Sequence, residues 1–150
     1  MSDLDHARLM LKLSRDELNA LEGMQESPLF TTGIFGFHAQ QCVEKGLKAW
    51  LSLIGVGYPI THSLTILLDL LADNGVKQVA DYRPLTRLTP FAVQFRYEEY
   101  DELAEVFDRS DLIEEIREFL EGVSAAIESK ASQEDETDRG ESEIESNSSD

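Results

Sequence analysis

His38, Gln41, Lys45 and Lys48 recur along the chain at intervals of three, four and three. At helical period that spacing stacks an imidazole, an amide and two ammonium groups on one ridge. Such a ridge offers hydrogen-bond donors and positive charge to solvent, to a carboxylate on a neighbouring helix, or to an anionic ligand. Two further groups could complete a site of that kind. His62 follows Thr61 at what reads as a helix start, where free backbone N–H groups favour an anion. Arg96-Tyr97 joins a planar fork suited to phosphate or carboxylate to a flat aromatic face. The candidate nucleotide- or partner-binding residues are therefore Gln41, Glu44, Lys45, Lys48, His62, Arg96 and Tyr97.

Each of these has a plainer reading. Lys45 and Glu44 could pair with charges on neighbouring helices and only hold a bundle together. His62 could cap or pack, and Arg96 could form a buried salt bridge to Glu44. His38, beside an apolar stripe, reads as a packed histidine bonded to a backbone carbonyl. Other chemistries find no support. His6, His38 and His62 share no short metal-ligand spacing, and one cysteine adds nothing to them. Gly33 and Gly36 stand without the strand or the lysine of a phosphate loop. No serine, histidine and aspartate fall in the order of a nucleophile turn. Cys42 lies on the apolar stripe and reads as a small buried hydrophobe, with no second cysteine in the chain to pair with. No cofactor is called for.

The elements that position these residues read as helices throughout. Leu4, Ala7, Leu11, Ser14, Leu18 and Leu21 recur at three and four, predicting a first helix over about 3–25. Arg8, Lys12 and Arg15 form a second ridge on it, beside Asp16 and Glu17, which reads as a solvated and partly self-paired face. Ser27-Pro28 breaks that helix. The second runs over about 30–54, its buried face marked by Phe35, Ala39, Cys42, Val43, Gly46, Leu47, Trp50, Leu51 and Ile54. After the turn cluster 55–60, Thr61 is the expected N-cap of a third helix, His62 to about Asn74, stopped by Gly75. Pro84 and Pro90 interrupt the region 76–97, which predicts one kinked helix or two short ones. The last helix should open at Ser110 or Asp111, with Glu114 as capping-box partner, and bury Leu112, Ile116, Phe119, Leu120, Val123 and Ile127. From Lys130 the apolar period ends. The expected organisation is an all-α bundle of four to five helices over 1–129 and a disordered acidic tail over 130–150.

The chain has 150 residues and a formal net charge of −17, from 30 acids against 13 lysines and arginines. That balance excludes a broad sequence-independent nucleic-acid platform, though a small basic groove remains open. Few lysines and many acids would suit a high-salt cytoplasm, and the tail could serve solubility or mimic nucleic acid. The N-terminal residues lack the basic start and apolar run of a signal peptide, and no apolar run reaches about 18 residues. A cytoplasmic protein is expected.

Phe37-His38-Ala39-Gln40-Gln41, Glu44-Lys45, Leu47-Lys48-Ala49, Thr61-His62-Ser63-Leu64 and Arg96-Tyr97, in that order and spacing, resemble the HEPN domain family. The likeness covers about residues 3–127. It implies an up-and-down helical bundle, usually a homodimer, often acting with a small nucleotidyltransferase-fold protein in a toxin–antitoxin pair. The ribonuclease branch of that family is similar in carrying arginine, four to six residues, then histidine. Here Asp101, Glu102 and Leu103 occupy those offsets from Arg96, and no histidine follows His62. Metal-independent RNA cleavage needs a group that gains and loses a proton near neutral pH. The departure therefore favours a non-catalytic nucleotide- or partner-binding module, with a metal-independent endoribonuclease of degenerate motif as the alternative.

Overall fold

In the computed structural model the described residues are 2–94 and 107–147, with side chains described over 2–92 and 107–140. They form six α-helices and one 3-10 segment, and no strand. Helix α1, Asp3–Met24, starts in a capping box: Ser2 Oγ accepts from the Asp5 N–H at 3.1 Å while the Asp5 carboxylate takes the Ser2 N–H. Ala7, Leu11, Ser14, Leu18 and Leu21 are buried and Leu4 half-buried, as the spacing predicts. Arg109 closes the other end, donating to the carbonyls of Met24 (3.0 Å) and Phe30 (2.6 Å) with its guanidinium 4.9 Å from the Phe35 ring centre. A cation there meets the carbonyls that the helix leaves open.

Helix α2, Thr32–Leu53, is the centre of the molecule and packs against α1, α3, α5 and α6. Fourteen of its 22 residues are buried, far more than the single stripe of a surface helix, because it has neighbours on most sides. Two glycines let those neighbours approach. Phe91 lies against Gly36, and a Cβ on Gly46 would stand 2.6 Å from Phe119 Cε2. Gly55, at φ +72°, ends the helix in the left-handed conformation, and the Val56 N–H reaches back to the Leu51 carbonyl at 3.0 Å. The chain then runs back along α2 as far as Gln40 before α3, Leu64–Asp73, begins. The N-cap of α3 is Ser63, whose Oγ accepts from Ile66, and not Thr61 as expected. Thr61 Oγ1 instead accepts from the Ser63 N–H and makes the turn before the helix.

The proline-interrupted region divides into α4, Val79–Tyr82, a 3-10 segment, Arg83–Leu88, and α5, Pro90–Gln94. It returns toward the start of α2, where Phe91 packs. Helix α6, Arg109–Asn147, runs antiparallel to α1, with Arg117 donating to Glu22 and Arg8 lying 3.9 Å from Glu128. Its N-cap is Asp108, which accepts from the Asp111 N–H, two residues before Ser110 and three before Asp111, the expected starts; Glu114 pairs with Arg117. The core ends at Ile127, yet α6 continues to Asn147 where an irregular tail is expected from Lys130. Residues 132–139 are all exposed and free of proline, and Asp135 and Arg139 stand at the supportive spacing of four.

Cys42 is buried and its thiol is pushed up to about 12 by that burial. It donates to the Ser14 carbonyl at 3.2 Å while Ser14 Oγ donates to the Cys42 carbonyl at 2.6 Å, so α1 and α2 exchange bonds at their crossing. Gly46→Ala is expected to overpack the α2–α6 contact and lower stability by about 1–3 kcal/mol, read as a reduced urea midpoint with unchanged slope.

Candidate functional site

The ridge of α2 faces α1 on one side and the return segment 55–63 on the other, and each side supplies partners. Toward α1, Glu17 Oε2 takes His38 Nδ1 at 2.7 Å and Glu17 Oε1 takes Lys45 Nζ at 2.8 Å. His38 is thus bonded to a carboxylate and a third exposed, where a backbone carbonyl is expected from the sequence. Glu17 pairs across to α2 instead of along its own helix. Burial works to raise the Glu17 carboxyl, but the bonds and positive charge from Lys45 and His38 outweigh it and hold the group below its ordinary value.

Toward the return segment, Glu44 is the only buried charged side chain among the described residues, 5% exposed. Its Oε1 accepts His62 Nδ1 at 2.7 Å and Gln40 Nε2 at 3.3 Å, and its Oε2 accepts Lys48 Nζ at 3.4 Å. A buried carboxylate without such partners would be strongly destabilising. Gln40, wholly buried, also donates to the His62 backbone carbonyl at 2.9 Å, and its own Oε1 accepts Gln41 Nε2 at 2.8 Å. Every buried side-chain nitrogen and oxygen among the described residues has a partner. Lys48 further lies 5.5 Å from the Tyr58 ring centre, fastening the middle of the return segment.

Of the seven predicted site residues, five are therefore brought together: Gln41, Glu44, Lys48 and His62 in one network, with Lys45 one helical turn from Gln41. Arg96 and Tyr97 lie outside the described residues. His62 precedes the N-cap of α3, so its ring is directed to Glu44 and away from the role of lining a helix N-terminus. The plainer reading of Lys45 has its geometry here, since the ammonium sits on a carboxylate of α1. Sequence reasoning missed Gln40, Glu17 and Tyr58. A signal for Gln40 existed: with Gly36, Val43 and Leu47 it falls on the apolar arc, where a polar side chain must be internally bonded.

Among the described residues no group of histidine, cysteine or acidic side chains could hold a metal. Open clefts among the described residues include two that do not contain Glu44 or His62. One of about 440 Å³ is lined by Asp3, His6, Ser52 and Tyr58; the other, of about 460 Å³, by Trp50, Ile54, Val76 and Ala126. Neither carries the bonded constellation found around Glu44.

The HEPN domain model matches residues 7–130, which spans the whole core from Ala7 to Ile127. The chain belongs to the HEPN domain family. No curated protein and no solved structure matches it significantly. In this HEPN chain the matched region includes the complete Glu17 and Glu44 networks and stops where α6 leaves the core. None of the described helices is long and apolar enough to cross a membrane.

The lowered Glu17 carboxyl gives a signed pH dependence. Its ionised form is favoured by folding, so its contribution is complete above the ordinary carboxylate value and is lost as pH falls through the lowered folded value. Glu17→Gln should flatten the acid limb of stability against pH, measured by urea unfolding from neutral pH into the acid range. An unchanged acid limb would count against the His38–Glu17–Lys45 arrangement.

Proposed function

We propose that this HEPN domain is a non-catalytic binding module. Two copies pair through helix faces, and the site formed by α2, His62 and Arg96-Tyr97 receives a nucleotide, or an acidic or nucleotide-bearing element of a separate small nucleotidyltransferase-fold protein. The module orients that partner's substrate or restrains it, as one half of a toxin–antitoxin pair. The observation that carries this reading is the Glu44 network, in which three side chains, Gln40, Glu44 and Lys48, hold one imidazole that is 55% exposed at the surface. Preorganisation of that kind lowers the cost of ordering a binding site. Absence of the arginine–histidine pattern from the sequence supports binding over cleavage. The test is calorimetry with ATP, UTP and short RNA on wild type, Lys45→Ala and Arg96→Ala. Wild type is expected to bind at least one of them and Arg96→Ala to bind more weakly; no binding by wild type sinks the nucleotide part of the proposal.

One observation favours a second reading. A histidine whose Nδ1 is held by a buried carboxylate has the orientation of a general base. In a metal-independent endoribonuclease, Arg96 would then stabilise charge developing on the phosphate, and His62 or Tyr100 would move the proton. That reading expects expression of wild type to arrest growth, with relief by Arg96→Ala and by His62→Ala. Growth unaffected by wild type speaks against it.

A further inference from the structure

Nothing so far says which part of a ligand the α2 site would read, and the described geometry bears on that choice. Lys45 and Lys48 are each bonded to a carboxylate, at 2.8 Å and 3.4 Å. A phosphate brought to either ammonium would stand close to Glu17 or Glu44, and like charges at such range repel. The described part of the ridge is therefore poorly suited to phosphate. His62 offers something different. An ionised carboxylate only accepts hydrogen bonds, so the ring proton facing Glu44 sits on Nδ1, and Nε2 is the nitrogen that offers a lone pair in the neutral form of the ring. No described residue occupies Nε2. The ring is fixed twice, by Glu44 at Nδ1 and by Gln40 at the backbone carbonyl.

The same short stretch carries two exposed apolar side chains. Ile60, two residues before His62, is fully exposed, and Ile66, on the first turn of α3, is 44% exposed. An oriented acceptor in a stretch that also exposes apolar side chains matches a flat heterocycle with a donor on its edge. We propose that His62 Nε2 accepts the exocyclic amine of a nucleobase, adenine or cytosine, with Ile60 and Ile66 providing apolar contact to the ring. This deepens the binding-module reading and rests on it: the described site recognises the base, and charge recognition is left to residues outside it.

The test is calorimetry of the full-length protein with adenosine, cytidine, purine riboside, ATP and inorganic tripolyphosphate. Purine riboside lacks only the amine of adenosine. His62→Asn keeps an N–H donor for Glu44 but ends short of Nε2, and circular dichroism checks its fold. Ile60→Asp, at a position outside the core, is a second variant that does not depend on the network. Adenosine and cytidine are expected to bind, purine riboside at least tenfold more weakly than adenosine, and tripolyphosphate at least tenfold more weakly than ATP. Both variants should lose at least tenfold in affinity for adenosine. Binding of ATP or tripolyphosphate without adenosine or cytidine overturns the base-edge inference and leaves the binding module standing. Equal affinity of adenosine and purine riboside, or of wild type and a folded His62→Asn, also overturns it. If wild type binds no probe and no RNA, both readings fall together.

Discussion

A buried carboxylate has to be satisfied, and in this HEPN domain the satisfaction of Glu44 organises half of the structure around it. The charge lies on the central helix, and its acceptor capacity is filled from the same helix by Gln40 and Lys48 and from the return segment by His62. That last bond ties segment 55–63 back along α2 and sets where α3 begins. The consequence is topological. Because the chain first runs back to Gln40, α3 advances in the same sense as α2, while α1, α2, the α4–α5 return and α6 alternate in direction. Apolar burial stabilises the bundle as a whole, but it is non-directional and would not by itself fix this register. The directional bonds at Glu44 do.

A second carboxylate, Glu17, does related work on the opposite flank. It joins His38 and Lys45 of α2 to α1 while the Ser14–Cys42 exchange closes the same helix pair nearby. The ridge that could have been a row of free donors is thus divided between two acceptors. Its cations are largely neutralised in place, in a chain whose surface is strongly acidic. What reaches the surface beside Glu44 is an oriented imidazole and not a pool of positive charge.

The long last helix shows the limit of reasoning from periodicity. Its apolar pattern ends with Ile127, and the family match ends close by at residue 130. Absence of a core face says that the segment has nothing to pack against; it does not decide between helix and coil. Here α6 continues through Asn147 while residues 132–139 are exposed. The N-caps show a similar limit. Thr61 and Asp111 are good capping residues, yet Ser63 and Asp108 take the positions. Several candidates lie within two or three residues in each case, and tertiary contacts choose among them.

The sequence by itself determined the helical class, the core stripes of α1, α2 and α6, the glycine stops and the family, because these depend on period and composition that a chain carries locally. It also placed Gln41, Glu44, Lys45 and Lys48 together, since one helix face fixes their spacing. Only the tertiary structure decided that Glu17 would meet Lys45, that Gln40 is buried, and that the ring of His62 turns to Glu44. Those pairings join residues 18 to 28 positions apart or hang on which neighbour covers a face. Such facts follow from how helices cross and where a returning loop lies, which no local pattern encodes.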